Sequence, residues 1–311
     1  MPEMVLLTGA SGFIGGVVAR MLKARGYAIR AVSRQPATLD SSFDETTSLP
    51  DPNSGESGWT PLLAGVTHVV HCAGENKSLP YEACREPNVE LPGRLARAAA
   101  GHLTGRFVLL SSVRAVCDGR SGEAISETTT EAPQDAYGKS KLEGERRVQA
   151  ALGPEGRYLI LRPAPVYGPG ARGSFRSLSR LASLPLPLPL AGLTARRSLV
   201  DVESLAEAMV HVLQSPLASP RVYMVSDEAP LTVGEIIGAV RKGLGRGPGL
   251  FSVPPSLLRR IALVGRQEDM WRKLSDPLVV DPSRLAATGW RPAADTMQRI
   301  SRYAERGLPA K

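Results

Sequence analysis

The stretch "AYGKSK", residues 136–141, sets a phenol and an ammonium four positions apart. On a helix, residues at that spacing lie one above the other, so Tyr137 and Lys141 would share a face. A nearby cation favours the phenolate and lowers a phenol's pKa by ~1–3 units, from about 10 to roughly 7–9. Tyr137 could then exchange a proton near neutral pH. Lys141 could also hydrogen-bond a nicotinamide ribose. Such a weak acid suits protonation of a carbonyl oxygen while a hydride reaches its carbon. A third group comes from "RFVLLSSV", residues 106–113, which reads as a strand ending in Ser111-Ser112. Its end would present a hydroxyl at the carboxyl edge of a sheet, where ligands of open α/β folds bind. Ser112 would hold the substrate oxygen beside the phenol.

A hydride needs a carrier, and "TGASGFIGG" offers a place for one. Gly9, Gly12 and Gly15 are spaced GxxGxxG directly after an apolar strand, "MVLLTG", and open the helix "GGVVARMLKARG", closed by Gly26. Such glycines permit a tight turn, close approach of backbone amides to a pyrophosphate, and helix–strand packing; the helix N-terminus adds partial positive charge. The second strand, "AIRAVSR", ends in Ser33-Arg34 with no acidic residue. Arg34, backed by Arg30 or by the Ser33 hydroxyl, would hold a 2′-phosphate bidentately. The alternative is a solvated arginine at a strand end. NADP(H) is expected ahead of NAD(H).

These groups need elements to carry them. The first half alternates short apolar runs with helical segments, the signature of parallel βαβ units. Residues 36–58 read as loop with one short strand. "VTHVVHCAG" (66–74) reads as a strand, "NVELPGRLARAAAG" (88–101) as a helix, Ala136–Leu152 as a helix, and "YLILRPAPVYG" (158–168) as a strand that Pro163 stops. "GPGARGSF" (168–175) reads as a Gly-rich loop. "LPLPLPLAG" (184–192) must be extended, because no helix tolerates alternating prolines. "RSLVDVESLAEAMVHVL" gives a short strand and an amphipathic helix with Asp201 or Ser204 as its cap. The last hundred residues read as short helices and loops. The fold class is therefore α/β: a Rossmann doubly wound parallel sheet with a smaller C-terminal substrate lobe. Residues 1–167, rejoined by about 197–226, would bind the dinucleotide; 168–196 and 227–311 would form the lobe.

Composition narrows the partners. The 311 residues carry 38 Lys and Arg against 30 Asp and Glu, a net charge of +8. The basic residues fall in scattered pairs, and aromatics are only 5%, too few for a nucleic-acid stacking platform. An anionic small substrate fits that charge better. No run approaches the roughly 18 apolar residues of a membrane helix, and "MPEMVLLTGA" has no basic leader, so neither membrane insertion nor a signal peptide is expected. Cys72, Cys84 and Cys117 form no CxxC pair and read as free thiols in a reducing cytoplasm. His68, His71, His102 and His211 have no ligand spacing, so no metal is expected; His71 reads as a packed residue near the pyrophosphate.

Taken together, "TGASGFIGG", "HCAG", "LLSSV", "YGKSK", "LRPAPVYGPG" and "RRSLVDVESLAEAM" resemble the extended short-chain dehydrogenase/reductases of the NAD-dependent epimerase/dehydratase family. "GARGSF", "LPLPLPL", "RRSLV" and "VSD" resemble its nucleotide-sugar 4-ketoreductase/4-epimerase branch. The resemblance implies Ser112, Tyr137 and Lys141 as the catalytic set, organised by Asn88. It implies Gly9, Ser11, Gly12, Phe13, Ile14, Gly15, Arg34, Ala73 and Pro163, with Tyr137 and Lys141, around the dinucleotide. Arg197 would contact the substrate diphosphate, with Ser112, Ser174 and Arg172 as further substrate contacts; Arg172 is equally a solvated loop residue. It implies reduction of a UDP-4-keto-6-deoxy-hexosamine at C4, with Tyr137 as proton donor. One alternative is a UDP-sugar 4-epimerase holding NAD+ tightly; another, from a different class, is a non-catalytic dinucleotide sensor. A homodimer through the helices flanking Tyr137 is a further implication.

Overall fold

A computed structural model describes residues 2–39, 41–75, 79–119, 123–171, 173–216, 221–265 and 267–307. Seven parallel strands form its central sheet: β1 (Met4–Thr8), β2 (Ala28–Ser33), β3 (Glu45–Ser48), β4 (His68–His71), β5 (Phe107–Leu110), β6 (Tyr158–Pro163) and the strand Arg221–Val225. The spatial order is Arg221–Val225, β6, β5, β4, β1, β2, β3. Every residue of β4, β5 and β6 is buried, as strands covered on both faces must be.

Alternation along the strands sorts side chains between the two faces. Val5 and Leu7 of β1 join Val18 and Leu22 of the helix Phe13–Ala24 and Leu205 and Met209 of the helix Val202–Gln214. Leu6, between them, joins Leu95 and Val148 on the opposite face, from the helices Leu91–Ala99 and Ala136–Leu152. Strand order reverses between β1 and β4, which opens a crevice beyond their carboxyl ends.

The helix Ala136–Leu152 has the expected bounds. Asp135 caps it, its Oδ1 accepting from Gly138 N at 2.7 Å. Asp201, rather than Ser204, caps the helix Val202–Gln214. The expected helix at 88–101 begins earlier: Tyr81–Arg85 is α-helical, Glu86–Glu90 is a π-turn, and Leu91–Ala99 continues as α-helix. Pro87 and Pro92 each lack an N–H donor, and the wider turn takes up that deficit without breaking the rod.

Beyond β6 the expected loop at 168–175 gives way at Gly173 to a helix, Gly173–Ser183. The Leu–Pro run is extended as expected, and Arg241 holds it. That buried guanidinium donates to the carbonyls of Ala182 (3.0 Å), Leu184 (3.1 Å), Leu186 (2.7 Å), Pro248 (2.8 Å) and Gly249 (2.8 Å). The C-terminal segments are longer helices than the sequence suggested, among them Val233–Gly243, which opens on a capping box of Thr232 and Glu235. A buried carboxylate ties this region to the sheet. Asp227 accepts from Tyr167 Oη (2.7 Å), Thr296 Oγ1 (2.8 Å) and Asp201 N (3.0 Å). Burial pushes its pKa up to about 6 despite those bonds.

Candidate active site

The glycine loop is a preformed cradle. Gly9 has φ +73°, and a Cβ there would lie 2.7 Å from Ala73 N; a Cβ on Gly15 would collide with the Gly9 carbonyl. The helix Phe13–Ala24 starts at Gly12 with no side-chain cap and no acidic residue in its first turn. Its amides and positive dipole end are therefore available to an anion. A dinucleotide pyrophosphate fits this donor set. Thr8 steadies the neighbouring turn, its hydroxyl 2.9 Å from His71 Nδ1 and accepting from Ala73 N at 3.2 Å. His71 is fully buried and held neutral, its pKa lowered to about 3 by burial and then by the charge of Lys141. Among the described residues, no group of three His, Cys, Asp or Glu could hold a metal.

Beyond the cradle lies an open cleft. It brings together Phe13, Ile14 and Ala73 from the dinucleotide side, Ser112, Tyr137 and Lys141 from the centre, and Pro163 and Ser174 from the far wall. Gly9, Ser11, Gly12 and Gly15 belong to the cradle behind it. Tyr137 is half-buried in the cleft beside Ser112, whose hydroxyl favours the phenolate. The glycine after the tyrosine explains how they meet. A Cβ on Gly138 would clash with the Arg114 carbonyl, so only glycine lets this helix close on the turn following Ser112.

Asn88 reaches the site from the π-turn. Its Oδ1 accepts from Glu75 N (2.9 Å), and its Nδ2 donates to the Glu75 carbonyl (3.0 Å) and to Ser140 Oγ (2.9 Å). Ser140 Oγ in turn donates to the Tyr137 carbonyl at 2.8 Å. A single buried amide thus fixes the cleft wall at 74–75 against the helix that carries Tyr137 and Lys141.

Two electrostatic findings differ from the sequence reading. Lys141 Nζ donates to the Leu110 carbonyl at 2.6 Å, and burial lowers its pKa to about 8, with the Glu145 charge opposing that fall. The Tyr137 pKa is raised, not lowered. Burial is the largest cause, offset by the Ser112 hydrogen bond and by Arg114. Arg114, which the sequence reading passed over, lies with its Cζ 5.7 Å from the Tyr137 ring centroid. It pairs with Asp118 at 2.9 Å and with Asp135, the residue that caps the Tyr137 helix. The signal was its place two residues beyond Ser112, with an Asp directly before the Tyr137 helix.

Arg34 and Arg197 are not among the residues lining the cleft. Arg34 is exposed beyond the end of β2. Arg30 cannot back it, because its guanidinium pairs with Glu45 and donates to the carbonyls of Leu62 (2.7 Å) and Ala64 (2.8 Å). Ser33 Oγ accepts from Gln35 N at 3.1 Å. Arg197 donates to the Asp276 carbonyl; burial lowers its pKa, and the nearby charge of Arg114 does so as well. Arg172 lies outside the described residues.

An uncapped glycine cradle, a serine at the end of β5 and a half-buried tyrosine with a buried lysine on the following helix thus share one sheet edge, and the family model for the "NAD dependent epimerase/dehydratase family" matches residues 5–226. The chain belongs to that family. It is an enzyme of the short-chain dehydrogenase/reductase type, an oxidoreductase or epimerase. It is 29% identical to a UDP-glucose 4-epimerase of Vibrio cholerae over 321 residues, covering 100% of this chain and 97% of the relative. It is also 29% identical to a ceramide reductase of Caulobacter vibrioides over 325 residues, covering 99% and 90%. The solved UDP-glucose 4-epimerase of Thermus thermophilus, a complex with NAD, shares the fold with a TM-score of 0.75 at 22% identity, covering 99% of this chain and 100% of that one.

Proposed function

We propose that the protein reduces a nucleotide-linked keto-sugar, a UDP-4-keto-6-deoxy-hexosamine, at C4. The observation that carries this reading is the convergence of Ser112, Tyr137 and Lys141 with Phe13, Ile14 and Ala73 in one cleft. When bound, a nicotinamide dinucleotide supplies the hydride. The chain's own residues do the rest. Ser112 holds the sugar oxygen, Tyr137 delivers a proton to it from its hydroxyl, and Lys141, anchored on Leu110, orients the dinucleotide ribose. Gly9, Gly12 and Gly15, with the helix end and Ser11, hold the pyrophosphate. Arg34 holds a 2′-phosphate, which makes NADP(H) the preferred carrier over NAD(H). Arg197 takes the substrate diphosphate, with Ser174 beside the sugar.

Net reduction is favoured by the full-length similarity to a protein named as a reductase and by the exposed arginine at the end of β2. The equally identical Vibrio cholerae relative supports a second reading, UDP-sugar 4-epimerisation with retained NAD+. The two separate cleanly on purified protein. Reduction consumes NADPH stoichiometrically with the keto-sugar; epimerisation interconverts UDP-glucose or UDP-N-acetylglucosamine with no net change in cofactor. Binding of dinucleotide with neither activity would leave the non-catalytic sensor.

A further inference from the structure

Among the described residues, eight large apolar side chains are strongly exposed, and seven of them are Leu184, Leu186, Phe251, Leu257, Ile261, Leu263 and Val264. They belong to two segments joined to each other. Phe251 N donates to the Leu188 carbonyl and Ala191 N to the Phe251 carbonyl, while Arg241 binds the carbonyls of Leu184 and Leu186 together with those of Pro248 and Gly249. The helix Pro255–Val264 has no fully buried residue. It rests on the protein through Leu258, which packs on the same apolar cluster as Phe13 and Phe175 of the cleft wall. Leu257, Ile261 and Val264 recur at i, i+4 and i+7, so they form a second stripe turned away from that contact. Their exposures are 50%, 61% and 87%.

Charge says what covers this face. Neither residues 173–200 nor 246–267 contain an Asp or Glu, whereas Arg246, Arg259 and Arg260 stand exposed along it. Arg246 donates to the Ser183 carbonyl at 2.8 Å, beside Leu184. An apolar stripe on a short helix, edged by arginines and with no Asp or Glu within either segment, matches an anionic lipid surface; Glu268, just beyond, is engaged by Arg272. No helix among the described residues is long and apolar enough to cross a membrane. We infer that residues 184–186 and 251–264 form a peripheral docking surface for an anionic bilayer. The apolar side chains enter the acyl boundary, and the arginines meet the headgroups. The cleft is then held at the membrane surface, whichever substrate it takes.

The test is co-sedimentation of the full chain with vesicles of phosphatidylcholine containing roughly 30 mol% phosphatidylglycerol, against phosphatidylcholine alone. The expected result is binding to the anionic vesicles only, weakened by added salt. The double variant Ile261→Glu/Val264→Glu should lose about tenfold or more in partitioning, and Arg259→Glu/Arg260→Glu should lose a similar amount. Both pairs are exposed, so their thermal melting should match that of the unaltered protein. Absence of binding, or equal binding by the variants, overturns the inference. So does a dimer in light scattering that Ile261→Glu/Val264→Glu dissociates without any vesicle binding, because the face would then belong to a second copy.

Discussion

The Arg114 guanidinium carbon lies 5.7 Å from the centroid of the Tyr137 ring, while Lys141, one helical turn beyond the phenol, is anchored on the Leu110 carbonyl at 2.6 Å. The two basic groups thus divide the work that a bare YxxxK spacing assigns to one. Arg114 favours the phenolate against a burial that opposes it. Lys141 is fixed on the backbone at the end of β5.

Arg114→Met should therefore push the Tyr137 pKa further up. In the direction that oxidises an alcohol, where the phenolate accepts the proton, the acid limb of the kcat/KM profile should move to higher pH by about one unit. Arg114→Lys should restore part of the shift. An unmoved limb would take Arg114 out of the proton chemistry.

Tyr137→Phe removes only the hydroxyl. Turnover should fall by roughly 10²–10⁴-fold, and dinucleotide affinity, measured by fluorescence titration, should change little. Comparable losses in both would make the phenol a binding group.

Lys141 titrates at about 8 rather than its ordinary 10.5, chiefly through burial. Between those values the unfolded chain keeps a proton that the native chain has lost, so this group makes stability rise with pH across that window. The functional consequence runs the other way. Dinucleotide affinity should decline above about pH 8 as the ammonium is lost, and should be flat with pH in Lys141→Met.

Asp227 is the converse case. Its pKa is raised from 3.8 to about 6 by burial, so the native state holds a proton that the unfolded state releases between those values. Its contribution to stability therefore falls as pH rises from about 4 to 6. Asp227→Ala would orphan Tyr167 Oη, Thr296 Oγ1 and Asp201 N, and denaturant unfolding should show a loss of about 3 kcal/mol.

Most of the sheet was legible because its strands are continuous apolar runs and its first turn carries three spaced glycines. The Tyr137 helix was legible from its helical charge pairing. What escaped depends on contacts between distant segments. Nothing local to Pro87 announces a π-turn, whose register is set by Asn88 reaching Glu75 and Ser140 across the fold. The direction of the Tyr137 pKa depends on burial, which spacing does not report. Arg30 looked free to assist Arg34 until Glu45 of β3 came beside it, a pairing made only when the strands align. Gly173 read as loop because it closes a glycine-rich stretch beside a proline, yet Phe175 and Ala182 bury a face that stabilises the helix.

In the proposed reaction Tyr137 protonates the sugar oxygen as a hydride reaches C4 of a nucleotide-linked sugar, and the spent dinucleotide is released. NADPH deuterated at the transferable position, given with a UDP-4-keto-6-deoxy-hexosamine, tests it directly. One deuterium should appear at C4 of the product for each NADPH consumed, at a rate roughly 10²–10⁴-fold lower with Tyr137→Phe. A product without label, or label transfer undiminished in that variant, would contradict it.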